Sequence, residues 1–184
     1  MSNWIEEYSY LDLKNGEIKF ICDDDQDMIE IRYDDGMLID VGYVEDEEIT
    51  SHREWIDNWK VYVPESNNIG TELNDDNQNS FVGAPKTICT ETFLMIGGFN
   101  TKDEATNCLS YIKSKFFRAL LFYNRHSLNI SRESFELIPL QDFTSNSDIN
   151  WNSSIEGIDF QLYKKYGLND AEITFIESMI KPME

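Results

Sequence analysis

Tyr111, Lys115, Arg118, Phe122 and Arg125 stand four, three, four and three positions apart. At about 100° of rotation per residue, these spacings line up along one face of a helix. Lys and Arg meet phosphates, Arg also forks onto guanine, and aromatic rings stack on bases or pack against sugars. The chain then runs into RHSLNISR, ending at Arg132. There His126, Ser127 and Asn129 can reach base edges, and Arg132 can meet a phosphate. The pattern suits nucleic acid. It also suits cations whose stems lie along the edge of a core that Tyr111 and Phe122 widen.

The element that must carry this strip is clear in the pattern. Ala105, Cys108, Leu109, Ile112, Phe116, Ala119, Leu120 and Tyr123 form an apolar stripe at helical spacing. Thr101 and Glu104 make a capping box at its start. One long amphipathic helix is expected. Upstream, residues 16–44 alternate as two or three antiparallel strands, with Asp35-Gly36 as a hairpin signal and Asp23-Asp24-Asp25 as an acidic turn. A short helix or turn capped by Ser51, a strand ended by Pro64, a long polar loop over 65–80 and a strand over 86–99 follow. Phe135 to Leu140 reads as strand-like and 144–154 as a linker or surface loop. Two short helices, about 155–166 and 170–180, close the chain, the second capped by Asn169 and Glu172. The expected fold is α+β: an antiparallel or mixed sheet with one long helix and two short C-terminal helices. Residues 1–143 would form the main unit, with 144–184 a linker and helical segment packing on it.

Charge complicates the nucleic-acid reading. The chain carries a formal net charge of -20. Only residues 101–135 are net positive, with six basic side chains against three acidic. Screening over roughly 8 Å lets such a patch act locally, though the summed field opposes a polyanion.

Other chemistry finds little support. Cys22, Cys89 and Cys108 form no Cys-x-x-Cys pair, and with only His52 and His126 there is no zinc pattern. Reduced, mostly buried thiols are expected. Asp12 with Glu17-Ile18-Lys19 echoes a nuclease metal site, but Lys14-Asn15-Gly16 reads better as a turn. No Ser/His/Asp or Cys/His set stands out. No run is apolar enough to span a membrane, and the acidic start lacks a leader pattern, so the cytoplasm is expected.

Four segments carry a family resemblance: WKVYVPESN, KTICTETFLMIGGFNTKDEA, SYIKSKFFRALL leading to FELIPLQDF, and QLYKKYGLNDAEITFIESMIKPM. Their order and spacing resemble the C-terminal part of adenine-specific DNA methyltransferases of bacterial restriction–modification systems, over at least residues 53–184. That region selects the DNA sequence to be methylated. The resemblance therefore implies DNA target recognition, with double-stranded DNA and a methyltransferase catalytic domain as partners. It implies no catalysis by this chain. Those enzymes hold S-adenosylmethionine on a Gly-rich turn and the flipped adenine with an Asn-Pro-Pro-Tyr-type loop. Neither is present here, and no cofactor is expected outside a separate catalytic domain. Relatives follow the helix with a basic residue and then Thr-Gln. Arg125 and Ser127 keep that chemistry, while Leu128 stands in the place of Gln.

The expectation is a non-catalytic DNA target-recognition part with Tyr111, Lys115, Arg118, Phe122, Arg125, His126, Ser127, Asn129 and Arg132 facing DNA. The acidity supports a rival: an interaction protein that mimics DNA or docks a basic partner, blocking a nuclease or restriction enzyme.

Overall fold

The computed structural model describes residues 28–34, 39–45, 49, 53–65, 80–89, 93–124 and 130–182. Strands β1 (Met28–Asp34) and β2 (Ile39–Glu45) form an antiparallel pair, with Asp34 opposite Ile39. This antiparallel pairing agrees with the hairpin signal at Asp35-Gly36, while that turn itself, the strand expected over 16–22, Asp23–Asp25, Asp12 and the polar loop over 66–79 lie outside the described residues. A 3₁₀ turn at Arg53–Trp55 leads into β3 (Trp59–Pro64). Next come β4 (Phe81–Gly83), β5 (Thr87–Cys89) and β6 (Phe93–Phe99).

The strand expected over 86–99 is two strands in two sheets. β5 runs parallel to β1, giving the order β2-β1-β5, whereas β6 pairs antiparallel with β3 in the sheet β4-β3-β6. The architecture is α+β.

β3 is buried on both faces, and its alternation sorts side chains between two cores. Val61 and Val63 face a helical core. Tyr62 faces a second cluster with Ile49, Ile56, Ile88, Phe93 and Met95. Lys60, though charged, is 1% exposed. Its ammonium donates to Ile56 O at 3.1 Å and Thr87 O at 2.8 Å, so it ties β3 to β5 of the other sheet. Burial pulls its pKa down to about 8, against the opposing pull of Cys89 and Asp57.

The expected long helix is two helices. α1 (Lys102–Lys113) starts as anticipated, with Thr101 Oγ1 accepting from Glu104 N at 3.2 Å. At Ser114 the backbone turns extended (ψ 148°) and α2 (Lys115–Asn124) begins in a new direction. One buried hydroxyl serves both ends: Ser114 Oγ donates to Tyr111 O at 2.6 Å and accepts from Phe117 N at 3.1 Å. Periodicity ran through the break because the apolar stripe continues on both sides of it.

Phe135 to Leu140 is not a strand. A 3₁₀ turn at Arg132–Phe135 buries Phe135, and turns follow. Residues 144–154 are the expected surface loop, mostly exposed but anchored by two buried side chains, Ile149 and Trp151. Trp151 is buried, its indole donates to Asp142 O at 2.9 Å, and its ring lies 5.3 Å from that of Phe143. One apolar cluster therefore runs across residue 143. α3 (Ile155–Lys165) and α4 (Asp170–Met179) close the described chain, with Asn169 and Glu172 forming the expected capping box. Among the described residues no helix is long and apolar enough to cross a membrane.

Gly83 is where sheet packing leaves no room. A Cβ there would sit 2.3 Å from the ring of Tyr62, which is fully buried and bonded through its hydroxyl to Thr87 Oγ1 at 3.1 Å. Gly83→Ala is expected to cost about 1–3 kcal/mol, seen as a lower urea midpoint with an unchanged slope. An unaltered midpoint would mean that the Tyr62 ring yields freely.

Candidate nucleic-acid interface

The structure disperses the strip that the spacing drew. Tyr111 lies on α1 and Lys115 on α2, so the extended residue between the helices cancels their expected alignment. Tyr111 is 3% exposed. Its hydroxyl donates to Pro139 O at 2.9 Å, and its ring packs edge-on against Phe117 and Trp151. It is a core residue and not a base-stacking platform.

Arg118 is completely buried, and its guanidinium donates to Lys181 O at 2.7 Å. Lys115 pairs with Glu177 of α4. These two cations face the chain's own C-terminal segment instead of a polyanion. The physical reason is that α4 and the residues after it pack on α2 and carry the acceptors.

Phe122 is 41% exposed, and Arg132 is exposed on the 3₁₀ turn. Asn124 at the end of α2 donates to Glu133 O at 2.6 Å, which fixes that turn beside the helix end. Arg125, His126, Ser127 and Asn129 lie outside the described residues. Among the described residues the expected cationic face is therefore not continuous, and of those expected to face DNA they leave Phe122 and Arg132 exposed.

The sequence pattern did not reveal the residue that organises this region. Asp159 of α3 is 2% exposed. Its carboxylate accepts from Phe116 N at 2.9 Å and from Lys115 N at 3.1 Å. Those are the first amide groups of α2, which the helix itself cannot satisfy and where its dipole favours negative charge. Burial pushes the Asp159 carboxyl up to about 6; the two amides and Arg118 oppose the shift, and Glu177 adds to it. Glu177 also accepts from the Tyr163 hydroxyl at 2.9 Å, and burial pushes that phenol well above its usual range. Asp159, Glu177, Lys115, Arg118 and Tyr163 thus form one polar seam between α2 and the C-terminal helices. A cap 43 residues from its amide leaves no local spacing signal, unlike Asn169 and Glu172.

Among the described residues no group of His, Cys, Asp and Glu could hold a metal ion. Cys89 and Cys108 are free and buried, and burial pushes both thiols far above their ordinary range. A thiol held protonated is a poor nucleophile. Comparison with protein-family models, with curated proteins and with solved structures finds no match.

Two outcomes follow from the seam. The raised pKa of Asp159 means that its protonated form favours folding below about pH 4, and that this contribution is lost as pH rises through about 6. Relative to Asp159→Asn, the natural chain should lose about 2 kcal/mol between those limits, measured by urea unfolding across the pH range; parallel pH curves would contradict this. Arg118→Glu places an uncompensated charge in the core and should cost about 3–5 kcal/mol. A variant with native thermal stability would return Arg118 to the surface.

Proposed function

We propose that this chain is the non-catalytic DNA target-recognition part of a restriction–modification adenine methyltransferase. The supporting observation is where the resembling segments lie. They are β3, β5 with β6, α1 with α2, and α3 with α4, and residues from each helix and from β3 share one apolar cluster. The resemblance thus falls on a whole packed scaffold and not on scattered pieces.

In this reading the duplex meets the far end of α2. Phe122 and Arg132 flank the segment that holds Arg125, His126, Ser127 and Asn129. Arg125 and Arg132 would contact phosphates, and Ser127 and Asn129 base edges. Tyr111, Lys115 and Arg118 shape the scaffold. S-adenosylmethionine and the chemistry belong to a separate catalytic domain, which would also supply cations that this chain lacks, and the setting is the cytoplasm. Arg125→Ala with Arg132→Ala should weaken duplex binding several-fold and lower its salt dependence by about two counterions, in gel shifts with the catalytic domain present. Binding with an unchanged salt slope would refute the assignment.

A second reading is favoured by the net charge of -20 and by the engagement of Lys115 and Arg118 inside the fold. The chain would then be an acidic interaction protein that occupies the DNA-binding face of a basic partner such as a nuclease. Capture of a basic DNA-binding protein, competed by duplex, together with no duplex binding by the chain itself, would favour this reading over the first.

A further inference from the structure

An open groove of about 550 Å³ lies between α2 and α4. Phe116, Leu120 and Ile176 line it along with Leu168. Tyr123 and Phe175 also border it, their rings stacked 6.3 Å apart, and they are 59% and 48% exposed. Exposed aromatics beside an apolar depression are the usual make-up of a protein-binding site.

The charge around the groove selects the occupant. α4 carries Asp170, Glu172 and Glu177 and no basic residue. Glu172 stands in the groove lining itself. Lys115, the cation opposite α4, is already paired with Glu177. A second copy of the chain would bring another -20 to this surface. Residues 1–27, with eight acidic side chains against two basic, would be repelled as well. Like charges at close range cost binding, whereas opposite charges steer and align it.

We propose that the α2–α4 groove docks a basic amphipathic helix of another protein. Its apolar stripe would lie on Leu120, Tyr123 and Phe175, over a floor formed by the buried Phe116 and Ile176, and its Lys or Arg flanks would face Asp170 and Glu172. This is helix-in-groove recognition, in which apolar anchors give affinity and the charged rim sets orientation. It does not rest on the duplex reading, because the occupant is a protein helix, although Tyr123 of the groove lies beside Phe122 at the end of α2.

The test uses the full chain and a fluorescent amphipathic helical peptide of leucine and lysine, followed by anisotropy. A peptide of the same pattern with glutamate in place of lysine is the control. The lysine peptide should bind and weaken with salt, while the glutamate peptide should not bind. Phe175→Ser and, separately, Tyr123→Ser should each lower affinity by about tenfold or more. Phe160→Ser, an exposed position on α3 outside the groove, should leave affinity unchanged; circular dichroism confirms that each variant is folded. Equal binding of both peptides, or indifference to both groove substitutions, overturns the proposal. So does displacement of the peptide by a single-stranded oligonucleotide, which would mark a base-stacking site. A dimer in sedimentation that Phe175→Ser dissolves would assign the groove to a second copy. Tighter peptide binding on Leu128→Ser would assign it to the chain's own segment after α2.

Discussion

The carboxylate of Asp159 against the first amides of α2 is the contact on which the helical half of the molecule depends. A helix start inside a protein presents donors that water cannot reach, and leaving them bare costs about as much as several surface contacts gain. Ser114 satisfies one of these donors, and Asp159 satisfies two. Once Asp159 is committed there, α3 must lie across the α1–α2 junction. α4 then follows within a few residues, and Glu177 and Lys181 meet the two cations of α2. The polar seam fixes register, while the apolar surface around it supplies the driving force.

A similar logic operates in the sheets. Lys60 is the second residue of β3, buried where an apolar residue would ordinarily be found, and its ammonium holds carbonyl oxygens of the preceding turn and of β5. A buried cation is tolerated only with such partners. In both halves, then, a single charged side chain joins pieces that hydrophobic contact alone would leave free to slide.

These two residues also show what the sequence could and could not disclose. Local signals were legible: the Thr101–Glu104 and Asn169–Glu172 caps, the break at Pro64, and the two C-terminal helices. Tertiary demands were not. Ser114 reads as an ordinary polar position within an unbroken apolar stripe, and only the arrival of Asp159 makes a second helix start there worthwhile. The KTIC and FLMIGGF halves of one apparent strand differ in partner, not in composition, so pattern could not part them. The cationic strip failed for a related reason. Helical spacing says which side chains share a face, but it cannot say whether the rest of the chain will cover that face. Phe122 and Arg132 stay exposed, although Phe175 of α4 reaches the neighbouring Tyr123.

The split at Ser114 bears on the order in which the chain matures. During synthesis α2 leaves the ribosome well before Asp159 does, and until α3 has emerged the leading amides of α2 have no carboxylate to meet. Isolated helices of this length are marginal in water. The second helix should therefore fray on the nascent chain and become fixed only once α3 has emerged and brought Asp159 to its first amides, so that the order of synthesis sets the order in which the helical half locks.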